Sequence, residues 1–167
     1  MNKKTLWICA CAILLAAVIN LFFIINAYIP SSSMSPTIDE GCFIIGNRLA
    51  YTKNGPESGD IVFFKNTEVS DSILIKRVIA LPGQSFSMKD GRVYINGEVL
   101  DEPYIDFFSD DNYDEVVVPE DSFILLGDNR KESNDSRHWD DPYVTKDQIK
   151  AKATLMWFPK FKIIDTE

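Results

Sequence analysis

The hydrophobic residues of this chain follow two different patterns, and the change between them falls near residue 30. Thr5 to Ile29 is a run of 25 residues without a charged side chain, whereas the rest of the chain has only short apolar runs. At about 1.5 Å per residue, a helix of this length crosses the roughly 30 Å hydrocarbon core of a bilayer. We therefore predict a cytoplasmic tip and transmembrane anchor over residues 1–29, and one further domain over residues 30–167.

A cleaved secretory signal is the alternative for the apolar segment, because Lys3 and Lys4 precede it as they would precede a signal peptide. The apolar region of a signal peptide covers only about 7–15 residues, so the length favours an anchor. Lysines before the segment and an acidic chain after it predict a single-pass protein of the cell membrane. Its N-terminus would be cytoplasmic and its domain extracytoplasmic.

The short apolar runs after residue 30 have the length and composition of β-strands. These runs are Cys42–Leu49, Asp60–Lys65, Ile73–Leu81, Phe86–Met88, Val93–Ile95, Val116–Val118, Phe123–Leu126 and Ala153–Phe158. No segment among them has the periodicity of a long helix. The pattern predicts a mainly β fold, in which a single transmembrane helix precedes one antiparallel, barrel-like β-sheet domain.

Two dipeptides predict hairpins within this domain. Asp90-Gly91 and Asn96-Gly97 lie between alternating residues, and both pairs favour the tight turns that join antiparallel strands. We expect a three-stranded meander over residues 85–100. The acidic segment 106–115 lacks alternation and is predicted to be a solvated loop.

Composition excludes several classes of function. The chain has 17 Lys+Arg against 25 Asp+Glu and a net charge of -8, which argues against binding to nucleic acid. Cys9 and Cys11 lie in the apolar segment, so Cys42 alone belongs to the domain; we expect no disulfide within it and interpret Cys42 as a small core residue. With a single histidine, His138, we also expect no metal and no cofactor.

The segment Pro30–Thr37, with four serines, begins where the apolar run ends. Its two prolines fix their own φ and restrict the residues before them, which predicts an extended, stiff segment. A stiff segment can hold a nucleophile. The alternative is a Ser/Pro-rich linker with no chemistry of its own.

A serine nucleophile requires a base within hydrogen-bond reach. Spacing alone leaves a Ser-His-Asp triad with His138 open. A lysine does the same work when burial lowers its pKa from about 10.4 towards 7–8, at a cost of roughly 3–4 kcal/mol. Lys76 lies within an aliphatic run, and strand alternation would bury only one of Lys76 and Arg77; we favour burial of Lys76, although strand lysines ordinarily face solvent.

A third polar stretch, Leu126–Arg137, follows an apolar strand directly. An ordinary surface loop is one interpretation. Its short hydrogen-bonding side chains could instead position a neutral lysine, and its Asp and Arg residues could brace the loop.

Together these stretches resemble the motifs of the bacterial type I signal peptidases, which are membrane-anchored serine proteases. Ser31–Thr37 is similar to the family's Ser-x-Ser-Met-x-Pro-Thr motif, and Gly59–Val62 to its Gly-Asp-(Ile/Val)-Val motif. The lysine motif corresponds to Lys76–Val78 with Leu81–Gly83, and the final motif to Gly127–Arg130 with Ser133, Asp135, Ser136 and Arg137. The motifs follow the family order across essentially the whole chain, whose compactness resembles the short Gram-positive forms.

The resemblance implies a role for each matching residue. Ser33 matches the nucleophile, Lys76 the general base, and Ser31 the hydroxyl that forms an oxyanion hole with the Ser33 N–H. Ser133 matches the serine that orients the lysine. The residues that match supporting ion pairs are Asp135, Arg137, Asp128 and Arg77, and those that match the substrate pocket are Ile29, Met34, Ile38, Leu74 and Ile75.

The resemblance further implies removal of signal peptides from exported preproteins after a small residue, next to the lipid bilayer and close to the secretion translocon. Some positions depart from the family pattern: Lys131-Glu132 replace the common Asp-Asn, and Asp140 and Ala151 stand where glycines are frequent. These departures concern the backbone of the loop rather than its catalytic residues.

Two other classes of function compete with this one. A Ser-Lys autoprotease of the phage-repressor kind would carry a basic DNA-binding domain, which an acidic, anchored chain does not resemble. A non-catalytic extracytoplasmic β-domain that binds a protein or wall partner is the other alternative.

Overall fold

The computed structural model describes residues 2–164. Helix α1 extends over Lys3–Phe22, and its length and apolar composition allow it to cross a membrane. The helix ends at Phe22 and does not continue to Ile29 as predicted, because Ile24–Tyr28 forms strand β1. Strand β1 pairs with β2, Phe43–Asn47, so its backbone groups are satisfied by a partner strand.

The described strands form two antiparallel sheets, which confirms the prediction of a mainly β, antiparallel domain. The large sheet has the order β1-β2-β11-β3-β4-β9-β10, with β12 also paired to β11. Its remaining strands are β3 Ile61–Phe64, β4 Leu74–Ala80, β9 Ser122–Leu126, β10 Tyr143–Thr145, β11 Ile149–Phe158 and β12 Lys162–Ile163. A 3-10 turn, Lys146–Gln148, leads into β11.

The small sheet has the order β7-β6-β5-β8. Its strands are β5 Ser85–Lys89, β6 Arg92–Ile95, β7 Glu98–Val99 and β8 Tyr113–Val117. The predicted meander and both of its turns are confirmed: Asp90 and Asn96 have positive φ angles of 49° and 53°, and each precedes a glycine of positive φ. Such turns match the twist of the strands that they join.

The acidic segment 106–115 is not only a solvated loop. Residues 113–115 belong to β8, because pairing with β5 satisfies their backbone. Phe107 forms a parallel bridge with Asn129, and Asp111 forms an ion pair with Arg137. The segment therefore joins the small sheet to the polar loop after β9.

The core of the large sheet holds its central strands in place. All four residues of β3 and all five of β9 are buried, and six of the seven in β4. Cys42 is buried in a core cluster with Met34 and Ile38, as predicted. Strand β4 consequently lies fixed between β3 and β9, with both faces covered.

Candidate active site

Strand β4 carries Lys76 to the serine segment. The Lys76 Nζ atom lies 2.8 Å from the Ser33 Oγ atom, and it also donates a hydrogen bond of 3.1 Å to the carbonyl of Ile75. Both side chains are enclosed, since Lys76 is 5% and Ser33 8% exposed. A neutral amine at this distance can accept the proton of the serine hydroxyl.

Burial is the main influence on the Lys76 amine. It lowers the pKa of Lys76 from 10.5 to about 8, against the opposing effect of the Asp135 and Asp128 carboxylates, which favour the charged form. A substantial part of the amine is therefore neutral near pH 8. This is the protonation state that a general base requires.

Arg77 is also buried, at 1% exposure, so the prediction that alternation would bury only one of the two basic residues was wrong. Arg77 points into the protein because Asp128 accepts hydrogen bonds of 2.8 and 2.6 Å from its guanidinium. The guanidinium carbon also lies 3.8 Å from the centre of the Tyr104 ring. A paired guanidinium stacked on an aromatic face tolerates burial in a way that an unpaired charge does not.

The serine segment is folded into turns rather than extended. The Ser35 N–H donates to the Ser32 carbonyl, and the Ile38 N–H to the Met34 carbonyl. Asn129 joins this segment to the polar loop, because its N–H donates to the Ser33 carbonyl at 3.1 Å and its side-chain amide to the Ser32 carbonyl at 3.3 Å. Local turns and these long-range bonds together determine the position of Ser33.

The Ser31 hydroxyl lies next to that of Ser33, with 3.4 Å between the two Oγ atoms. Within residues 2–164 the Ser33 N–H donates no hydrogen bond. The Ser31 hydroxyl and the Ser33 N–H are thus two donors available at Ser33 for an oxygen that acquires negative charge.

Gly127 brings the polar loop close to Ser33. A Cβ atom at Gly127 would lie 2.2 Å from the Ser133 Oγ atom and 2.5 Å from the Ser33 carbonyl oxygen. Only glycine fits this position. The Ser133 hydroxyl is buried and makes no hydrogen bond within the described part of the chain, so the structure places it beside Ser33 without joining it to Lys76.

Asp135 and Arg137 form a buried ion pair, with two contacts of 2.8 Å. Burial alone would raise the pKa of Asp135, but the hydrogen bonds and charge of Arg137, together with the Gly127 N–H, outweigh it and hold this pKa below its ordinary value. The Gly127 N–H donates to Asp135 at 2.9 Å, and Arg137 also pairs with Asp111. The pair therefore braces the turn that faces Ser33.

The structure brings together four of the five residues expected to line the substrate pocket. Ile29, Met34, Ile38 and Ile75 are buried in one cluster. Leu74 instead packs against a different cluster, because it lies on the opposite face of β4 from its neighbour Ile75.

His138 makes no hydrogen bond with Ser33. Its imidazole is about half exposed, at 47%, and its Nδ1 atom lies 3.9 Å from Asp135. Among the described residues, the Ser33 hydroxyl has hydrogen-bond partners in Lys76 and Ser31 but not in His138. Residues 2–164 also contain no group of three His, Cys, Asp or Glu side chains arranged to hold a metal.

Three contributors to the site were not predicted from the sequence: Asn129, Asp111 and Glu102. Asn129 lies within the final motif, so its amide side chain next to Asp128 was an available signal. Asp111 and Glu102 belong to regions without a recognisable pattern. Both Glu102 oxygens accept hydrogen bonds from Arg130, a contact that only the folded chain creates.

A serine hydroxyl and a lysine amine lie 2.8 Å apart and buried, on a mainly β domain behind an apolar helix, and this is an arrangement found in serine hydrolases. The model of one family, signal peptidase, peptidase S26, matches residues 2–158. The chain therefore belongs to the signal peptidase family, peptidase S26. Signal-peptide removal by a serine endopeptidase is thereby supported for it, and a non-catalytic binding domain is not favoured.

Individual relatives agree with this assignment. The chain is 39% identical over 155 residues to signal peptidase I of Leptolyngbya laminosa, covering 89% of this chain and 75% of the relative. It is 37% identical over 153 residues to probable signal peptidase I-2 of Synechocystis sp., covering 89% and 69% of the two chains. A crystal structure of a signal peptidase I from Enterococcus faecalis matches with a TM-score of 0.52 and 28% identity, covering 59% of this chain and 97% of that one.

Proposed function

We propose that this chain cleaves signal peptides from exported preproteins after a small residue such as alanine, with Ser33 as nucleophile and Lys76 as general base. The observation that carries the proposal is the 2.8 Å between Lys76 Nζ and Ser33 Oγ in a buried site. Neutral Lys76 takes the proton of Ser33, whose oxygen attacks the carbonyl of the scissile bond. The protonated lysine supplies the proton for the leaving amine, and water then releases the acyl-enzyme.

The oxyanion of the tetrahedral intermediate is stabilised by the Ser31 hydroxyl and the Ser33 N–H. One donor of this kind contributes roughly 3–4 kcal/mol to transition-state stabilisation. Ser133 orients the Lys76 amine when substrate is bound. The ion pairs of Asp135 with Arg137 and of Asp128 with Arg77 hold the two supporting segments in place.

The substrate pocket is formed over the cluster of Ile29, Met34, Ile38 and Ile75. Met34 and Ile38 are completely buried and form its floor, while the small exposed parts of Ile29 and Ile75 form its wall. An apolar pocket of this kind rejects large side chains more strongly than it selects among small ones. Leu74 contributes through its backbone on β4 rather than through its side chain.

The anchor places this site at the membrane surface, with the N-terminus in the cytoplasm, a single membrane crossing and the domain outside. Lys3 and Lys4 before α1 and the acidic domain after it support this orientation. Confinement of enzyme and substrate to one surface replaces a three-dimensional search with proximity. A position close to the secretion translocon follows, because preproteins emerge there.

The first test is cleavage of a precursor with a small-x-small signal end by the detergent-solubilised full chain and by Ser33→Ala. The wild type is expected to make one defined cut, read as the new N-terminus of the product, and the variant to make none. A folded wild-type protein that makes no cut would contradict the proposal.

The second test separates the two candidate bases. Lys76→Ala is expected to lower the cleavage rate by at least about a thousandfold, since the nucleophile loses its base. The matched variant His138→Ala removes a half-exposed side chain that does not contact Ser33, and it should retain most of the activity. An inactive, folded His138→Ala would instead support the triad.

A further inference from the structure

A cationic cleft lies beside the end of the membrane helix. Arg48, Lys146 and Lys150 line it together with a single carboxylate, Asp147, and it encloses about 260 Å³. The whole chain carries a net charge of -8, so a cleft with three cations and one anion departs from the rest of the molecule. The catalytic residues do not line it.

The cleft is tied directly to the point where α1 ends. The Arg48 N–H donates to the Phe23 carbonyl at 2.9 Å, and the Arg48 Nε atom donates to the Ile24 carbonyl at 3.0 Å. Phe22, the last residue of α1, is 60% exposed. Because α1 is the membrane-crossing segment, the carbonyls that Arg48 contacts lie at the depth where hydrocarbon gives way to lipid headgroups.

The cationic side chains of the cleft have N–H groups that are free to donate to a ligand. Within residues 2–164 the two terminal nitrogens of Arg48 and the Lys146 amine make no hydrogen bond or ion pair with protein groups. The Lys150 amine donates to the Asp147 carbonyl at 2.6 Å, and this bond holds the amine at the cleft. Its other two N–H groups remain as donors for a ligand. A guanidinium and two ammonium groups around one cavity are suited to a phosphate.

We propose that this cleft binds the phosphate of an anionic phospholipid headgroup, whose acyl chains lie along the apolar surface of α1. A headgroup phosphate is the anion that the membrane supplies at this depth. Each cation near an anionic membrane surface strengthens binding about fivefold. The bound lipid would fix the angle at which the domain leaves the helix and hence the height of the site above the bilayer.

The experiment places the full chain in nanodiscs of mixed phosphatidylcholine and phosphatidylglycerol. Spin-labelled phosphatidylglycerol and spin-labelled phosphatidylcholine are added in turn, and the motionally restricted fraction gives their relative association with the protein. The wild type is expected to prefer phosphatidylglycerol severalfold. The double variant Lys146→Gln/Lys150→Gln should lose most of this preference.

The matched control, Lys89→Gln/Arg92→Gln, removes the same charge from the exposed hairpin of β5 and β6 and should leave the preference unchanged. Arg48→Gln provides a second test at the helix end and should lower the preference, by less than the double variant does, because it removes one cation rather than two. Cleavage in detergent by the double variant should match the wild type, because neither lysine contacts the catalytic pair, and this separates the lipid site from the peptidase activity. Equal association of both lipids with the wild type, or an equal loss in the control, would overturn the proposal.

Discussion

Lys76 is the residue at which burial and charge compete most directly. Burial favours the neutral amine, while Asp135 and Asp128 favour the ammonium form. Each carboxylate is itself paired with an arginine, which weakens its attraction for the lysine. The result is a pKa of about 8, close to the pH at which a general base is most effective.

This pKa predicts the pH dependence of cleavage. Below about pH 8 the amine is charged and cannot accept the Ser33 proton, so kcat/KM should rise about tenfold per pH unit and level off above the pKa. A pH profile of precursor cleavage by the solubilised chain measures this. Lys76→Arg is the control, because guanidinium stays charged and the variant should be inactive at every pH.

The position of the acid limb also distinguishes the two bases. A midpoint well below about pH 8 would indicate that a group other than Lys76 is the base. A midpoint near 10.4 would show that burial does not affect the lysine.

At the scale of elements, the turn between β5 and β6 has a function beyond joining two strands. Gly91 has a φ of 75° and donates a backbone hydrogen bond of 2.9 Å to the carbonyl of Asp111. A Cβ atom at Gly91 would lie 1.9 Å from the carbonyl oxygen of Ser109. The turn thus supports the acidic segment that pairs with Arg137.

Gly91→Ala is expected to lower both the free energy of unfolding and the cleavage rate. A left-handed backbone costs a non-glycine residue about 1–2 kcal/mol, and here the new methyl group must also displace residues 109–111. Gly97→Ala is the matched control, since Gly97 has a φ of 79° and open space around it. Gly97→Ala should lose only the stability that the left-handed backbone costs, and it should retain full activity. Thermal unfolding measures the stability of both variants, and precursor cleavage measures their activity. Equal effects of the two variants would contradict this account.

At the scale of the whole molecule, buried charged side chains join the small sheet to the polar loop after β9. Glu102, in the connection after β7, accepts hydrogen bonds from Arg130 and from the Tyr104 hydroxyl. Tyr104 stacks on Arg77, the neighbour of Lys76 in the chain. Burial, reinforced by the adjacent Glu102 carboxylate, raises the pKa of Tyr104, which keeps its hydroxyl a donor.

Glu102→Gln tests this connection. The change leaves Arg130 buried without its counter-ion, which costs roughly 3 kcal/mol of stability, and small displacements of the loop should lower kcat about tenfold or more while KM changes less. Steady-state cleavage kinetics at a temperature where the variant remains folded measure this. Glu98→Gln, an exposed carboxylate on β7, is the control; an unchanged kcat in Glu102→Gln would show that the small sheet does not position the site.

The sequence alone determined those features that depend on short stretches of chain. An uncharged run identified the membrane anchor, and one Asp-Gly and one Asn-Gly pair identified the hairpins. Local motifs identified Ser33 and Lys76 as candidate catalytic residues. Such features are predictable because backbone geometry and hydrophobic periodicity act over a few residues. Even so, local apolarity could not distinguish the end of α1 from strand β1, since Ile24–Tyr28 satisfies both patterns.

Only the tertiary structure decided how distant residues meet. Ser33 and Lys76 are 43 positions apart, and Glu102 and Arg130 are 28 positions apart. Arg77 is buried because Asp128, 51 positions away, neutralises it. The physical reason is that the burial and charge of a side chain depend on which strands pack around it, and strand pairing across such distances leaves no periodic pattern in the sequence.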